Sequence, residues 1–153
     1  MKITDIFRKD FIIEDLKAKN KRDALAELSA IFLKVHEKFN HDSAVNVLLD
    51  REKLGSTGIG DGIAIPHGKH GDLNHLIVSF GRSKAGVDFD AMDGKPVHLF
   101  FLLMAPENTT GQHLKVLAKI SRMLKDSTFR VNLMEAKTTD DLCRIIAERD
   151  DAC

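Results

Sequence analysis

Tryptophan and tyrosine are both absent from this 153-residue chain, cysteine occurs twice and proline three times. Without Trp or Tyr, only nine Phe remain as aromatics, which argues against an aromatic stacking platform. Net charge is absent as well: 23 Lys+Arg balance 23 Asp+Glu, which counts against a nucleic-acid binder that works through bulk positive charge. No long apolar run occurs. The longest, Leu99 to Ala105, is far short of the ~20 residues a membrane-spanning helix needs. Charges recur every few residues from Met1 to Arg8, so no signal-peptide core is present there. The two cysteines, Cys143 in a helical pattern and Cys153, form no C-x-x-C and no disulfide framework. A reduced, cytoplasmic setting is the simplest reading.

What is present is an ordinary globular composition, 43% hydrophobic and 30% charged, at a length that suits one domain over residues 1–153. Leu25, Leu28, Phe32, Val35 and Phe39 recur at spacings of three and four, which predicts one amphipathic helix over 20–39. Asn40 and Asp42 mark its stop and a new N-cap, and Val45, Leu48 and Leu49 supply the inner face of a second helix ending near Gly55. Gly55 to Gly62 is expected to be a loop. Short strands follow at Ile63–Ile65, stopped by Pro66, then at Leu76–Phe80 and at Val97–Met104, with Asp93-Gly94 as a tight turn. Helices are expected over Gln112–Leu124 and Ser127–Met134, and a capping signal at Thr138–Asp141 precedes Leu142, Ile145 and Ile146. The class is α/β or α+β, with a central mixed sheet flanked by helices; the Asp-Gly turn implies an antiparallel pair.

Four glycines in eight residues free the 55–62 backbone to present N–H groups to an anion. The nucleotide motifs nevertheless fail: G-x-G-x-x-G meets Ile63 or Ile65 at its third glycine, and Gly68-Lys69 is followed by His70. By itself the loop reads better as a tight helix-to-strand connection than as an anion site. His67 shifts the balance, because it stands at a stiff strand end between Pro66 and Gly68, near Ser56 and Thr57. A neutral imidazole there is a good nucleophile, and the hydroxyls and backbone donors suit a transferred phosphoryl group. His113, in the first turn of a helix, is expected to stay neutral beside the helix N-terminus. Arg51 precedes the loop and offers a planar fork for phosphate, or only a solvated charge. His67, His70 and His75 are close in sequence, yet no helical spacing, cysteine or nearby Glu completes a metal set, so His70 and His75 read as loop residues.

The stretch from Arg51 to Lys69, with Phe89–Val97 and His113–Ala118, resembles the IIA component of the bacterial phosphoenolpyruvate-dependent phosphotransferase system. The similarity is to the fructose/mannitol type, which includes nitrogen-regulatory IIA proteins, and it spans nearly the whole chain. It implies a mixed sheet flanked by helices and a histidine phosphorylated by HPr or an HPr-like carrier. The resemblance maps that histidine to His67 and a second active-site histidine to His113. The site arginine maps to Arg51, and the loop hydroxyl to Thr57 with Ser56 beside it; no role carries over to His70 or His98. No cofactor or metal is implied, since the P–N bond of the donor is already activated. No fused IIB or membrane IIC domain is expected, which fits a free-standing sugar IIA or the nitrogen-regulatory branch. The wording of the central motif favours the latter. Two roles stay open: passing phosphate to a IIB component, or a regulatory binding module switched by phosphorylation toward kinases, transporters or other partners.

Overall fold

The computed structural model describes residues 2–152. Strand β1 (Phe7–Ile13) lies at one edge of a six-stranded sheet, and β2 (Gly58–Gly60) at the other. Between them stand β5 (Ile77–Val87), β6 (Val97–Pro106) and β3 (Ile63–Ala64), in the order β1-β5-β6-β3-β2, while β4 (His67–His70) also pairs with β6. The sheet is mixed: β5 and β6, like β2 and β3, are antiparallel, whereas β1 joins β5 in parallel and β3 and β4 join β6 in parallel. Strand β6 is central, and its Leu99–Ala105 run is buried throughout, which explains the unbroken apolar stretch.

Helix α1 (Lys21–Ala30) starts where the Asn20 side chain accepts the Asp23 N–H at 2.9 Å. It does not continue to Phe39 as the periodicity predicts. The backbone tightens into a 3₁₀ turn at Ile31–Lys34, and Val35 ends 37% exposed. The tighter turn lets Phe32 pack edge-to-face on both Phe11 and Phe39, at ring separations of 5.1 and 6.1 Å. Helix α2 (His41–Lys53) is capped by Asn40, whose side chain accepts the Ser43 N–H.

Helices α3 (Gln112–Lys125), α4 (Ser127–Glu135) and α5 (Thr139–Ala152) follow the sheet in succession. Alternation along β5 shows how the layers lie. A Cβ on Gly81 would come within 2.7 Å of Leu28 in α1, whereas the next residue, Arg82, reaches the Leu133 carbonyl of α4. Neighbouring strand residues point to opposite faces, so α1 and α4 cover opposite sides of the sheet.

Two expectations change at the glycine segment. It contains β2, which forms a hairpin with β3 across Asp61 and Gly62. Both turn residues have positive φ, 57° and 74°, as a type I′ turn requires. The Asp-Gly signal of a tight hairpin is thus fulfilled here. Asp93-Gly94 instead lies in the longer connection between β5 and β6, with Gly94 at φ 70°. Strand β1 escaped the sequence pattern because three charged residues, Arg8 to Asp10, interrupt its apolar alternation. An irregularity in pairing between Phe7 and Ile12 accommodates them at the sheet edge.

Candidate functional site

Strands β3 and β4 run along the same neighbour, β6, as one broken strand interrupted at Ile65-Pro66. Strand β2 covers only β3, so β4 is an open edge. Helix α2 packs directly over that edge: a Cβ on Gly68 would lie 2.8 Å from Val47, so only glycine admits the helix at this distance. With Gly68 facing α2, His67 and Lys69 share the other side of the strand.

His67 is half-buried, and its two ring nitrogens have different partners. Nδ1 lies 3.0 Å from the Ile65 carbonyl, which can only accept, so Nδ1 carries the proton. Nε2 is then the lone-pair nitrogen, and it accepts the Arg51 Nε–H at 3.3 Å. Arg51 is anchored in the last turn of α2, where its Nη1 donates to the Gly55 carbonyl at 3.0 Å. The sequence left Arg51 between a phosphate fork and a solvated charge; the fold lays its guanidinium against the imidazole.

His113 is the second residue of α3, after Gly111 at φ 105°. It shares with Arg51, Leu54, His67, Lys69 and Leu103 the lining of a cavity of about 330 Å³. Burial, with the nearby charges of Lys69 and His67, pushes its imidazole below the usual value, which keeps the ring neutral at physiological pH. Its Nδ1 is buried without a hydrogen-bond partner among the described residues.

Ser56 and Thr57 do not line this cavity. Thr57 is buried, and its N–H and hydroxyl both donate to the Glu52 carboxylate, at 3.0 and 2.5 Å. Ser56 Oγ accepts the Gly58 N–H at 3.0 Å and points its own proton toward the Phe89 carbonyl. Glu52 in turn pairs with Lys21 at 3.2 Å, whose ammonium lies 5.0 Å over the Phe89 ring. This clamp joins α1, α2 and the glycine segment. Sequence reasoning missed Glu52, although a signal was present: it continues the Val45/Leu48 stripe at spacings of three and four, on the inward face.

The remaining histidines disperse. His70 is buried on β4 rather than in a loop: its ring packs 4.9 Å from Phe39, its Nε2 donates to Ser43 Oγ at 2.6 Å, and its Nδ1 accepts the Asp72 N–H. His75 lies in a loop beside His36, and His98 donates from Nδ1 to the Ser83 carbonyl. Among the described residues, no three His, Cys, Asp or Glu are grouped to hold a metal ion. Cys143 is a half-buried free thiol on α5; Cys153 lies outside the described residues.

A family profile, phosphoenolpyruvate-dependent sugar phosphotransferase system EIIA 2, matches residues 5–149. The chain belongs to this family. A nitrogen regulatory protein of Bradyrhizobium diazoefficiens is 40% identical over 147 residues, covering 96% of this chain and 95% of its own length. The fructose-specific EIIABC component of Bacillus subtilis is 36% identical over 98% of this chain, which spans only 24% of that longer protein. The crystal structure of nitrogen regulatory protein IIA-Ntr from Neisseria meningitidis superposes with a TM-score of 0.86 at 36% identity, over 94% of this chain and 98% of the other. The α/β fold with a mixed sheet is therefore that of the IIA-Ntr relative, and EIIA domains are components of a phosphotransferase system. Among the described residues, no helix is long and apolar enough to cross a membrane.

Proposed function

We propose that this EIIA-family protein is a cytoplasmic phosphocarrier that accepts a phosphoryl group on Nε2 of His67. The donor is phospho-HPr or an HPr-like carrier. The observation that carries this reading is the pair of bonds on the His67 ring: Ile65 holds the proton on Nδ1, and Nε2 keeps its lone pair beside the Arg51 guanidinium. Nε2 attacks phosphorus in line as the donor N–P bond breaks, and the leaving nitrogen takes that bond's electron pair. A donor ring protonated on its other nitrogen departs as neutral imidazole. His67, keeping its Nδ1 proton, becomes the phosphoimidazolium, so the proton count is unchanged. The new positive charge strengthens the Nδ1–H bond to Ile65.

The Arg51 fork turns from Nε2 to the phosphoryl oxygens, and the unpartnered Nδ1 of neutral His113 supplies a further donor. Ser56 and Thr57 contribute by exchanging their present Phe89 and Glu52 contacts for the phosphate, or by holding the glycine segment in place. Positioning and electrostatics carry the reaction; no cofactor or metal ion takes part, because the donor P–N bond is already activated.

Incubation with phosphoenolpyruvate, enzyme I and HPr tests this. Acid-labile, alkali-stable phosphate on the wild type and none on His67→Ala is the expected result; equal labelling of both overturns it. A regulatory use of the phosphate, as a switch of affinity for kinases or transporters, is favoured by the relative named nitrogen regulatory protein, which aligns over nearly its full length. Transfer onward to a IIB component is the alternative, in keeping with the EIIABC relative. Chase of the phosphoprotein with IIB separates them: a regulator retains its label and a transport component loses it.

A further inference from the structure

The three oxygens of a phosphoryl group on His67 offer more negative acceptors than the Arg51 fork alone can meet. A phosphorylated side chain carries roughly −1.5 to −2 at neutral pH, if phosphohistidine resembles other modified residues. Arg51 offsets one unit, the phosphoimidazolium ring of His67 carries another, and His113 is neutral. The carboxylate lining the cavity, Asp50, adds negative charge, although Lys53 pairs with it at 3.2 Å. The rest of the lining is largely apolar, with Val47, Leu54, Leu103 and Ala105. The net charge is then close to balance, but the phosphoryl oxygens that Arg51 does not reach would stand in poorly solvating surroundings, which costs free energy.

One cation on this lining has no hydrogen-bond or ion-pair partner among the described residues, and that is Lys69. It stands two residues after His67 on β4, and alternation places both side chains on the same side of the strand. Lys69 is exposed, so a flexible ammonium is free to move onto an oxygen that Arg51 does not reach. We propose that Lys69 is a further phosphoryl-binding residue, which brings a second cation to the phosphoryl oxygens of phosphorylated His67 and so shifts the equilibrium of phosphoryl exchange with the carrier. The inference rests on the phosphocarrier reading above. It assigns Lys69 a thermodynamic part: it holds the product, rather than guiding the carrier to the site.

The test compares wild type, Lys69→Ala and Lys69→Arg for the equilibrium constant of phosphoryl exchange with phospho-HPr, measured from both directions at low and high salt. Lys69→Ala is expected to shift that equilibrium about fivefold toward the donor at low salt, less at high salt, with Lys69→Arg restoring most of the loss. The second phosphate pKa, followed by phosphorus NMR of the phosphoprotein, should rise in Lys69→Ala, because the dianion loses a cation. A slower rate with an unchanged equilibrium makes Lys69 a docking residue and overturns the proposal, as does an unchanged phosphate titration. If wild type takes no label on His67, the phosphocarrier reading fails first, which is a different result from labelling that ignores Lys69.

Discussion

Arg51 donates from Nε to Nε2 of His67 at 3.3 Å, so the cation occupies the direction from which an incoming phosphorus must approach. The bond is long for a charged donor, and Arg51 keeps a second anchor on Gly55. A guanidinium so held can pivot without leaving the site. Arg51→Ala is expected to slow phosphorylation of His67 about a hundredfold. Arg51→Lys retains charge but loses the planar fork, and a loss of about tenfold is expected. Rates of labelling from phospho-HPr check both, and equal rates for the two variants would show that charge alone matters.

Glu52 holds the glycine segment through two donors from Thr57 and carries a buried pair with Lys21. Glu52→Ala strands Lys21 and both Thr57 donors, so a loss of about 3 kcal/mol is expected in urea unfolding. Thr57→Val removes one donor and leaves the rest, for about 1–2 kcal/mol. Should Thr57→Val label at the wild-type rate despite that loss, the hydroxyl has no part in binding phosphate.

His113 and His36 both titrate below the usual imidazole value of about 6.5, each mainly through burial; Lys69 and His67 add to the effect on His113, and His75 and Arg8 to that on His36. A histidine whose folded pKa is lowered binds more protons when unfolded. Its stabilisation is therefore complete above about pH 6.5 and is lost as the pH falls from there through the folded value. The urea midpoint should drop between pH 7 and pH 5, and the double variant His36→Gln/His113→Gln should show a flatter profile. An identical slope in that variant would assign the acid sensitivity to other groups.

Arg82 is buried on β5 with no carboxylate partner among the described residues and donates instead to the carbonyls of Glu14, Leu133, Met134 and Ala136. Three of these close the C-terminus of α4, where a cation also complements the helix dipole. Arg82→Met fills similar space but leaves those carbonyls without their donor, and roughly 3 kcal/mol of stability should be lost. Labelling of His67 should persist at temperatures where the variant is folded, since Arg82 lies outside the cavity lining.

Reading order and tertiary arrangement contributed differently to the site. Local signals are strong where one interaction dominates: Asn40 caps α2, the apolar run of β6 marks a strand buried on both faces, and Pro66-His67-Gly68 marks the nucleophile's stiff strand end. They weaken where remote packing wins. The 3₁₀ turn after α1 follows from Phe32 packing against Phe11 and Phe39, and β1 needed a partner 70 residues away to tolerate its charged middle. The Asp-Gly pair at 93–94 carried the same local signal as that at 61–62, but only the latter lies between strands in a two-residue register.

The few residues this sequence lacks still bound what the protein is: no Trp, no Tyr, no net charge and no spanning run leave a balanced globular domain. The motif from Arg51 to Lys69 determined the family resemblance, because glycine, proline and histidine act through their own covalent chemistry wherever they stand. Which nitrogen of His67 is free, that Arg51 faces it, and that Glu52 rather than the cavity takes the Thr57 hydroxyl were decided only by the tertiary structure. Those facts depend on directional hydrogen bonds between separate elements, and spacing along the chain does not encode their geometry.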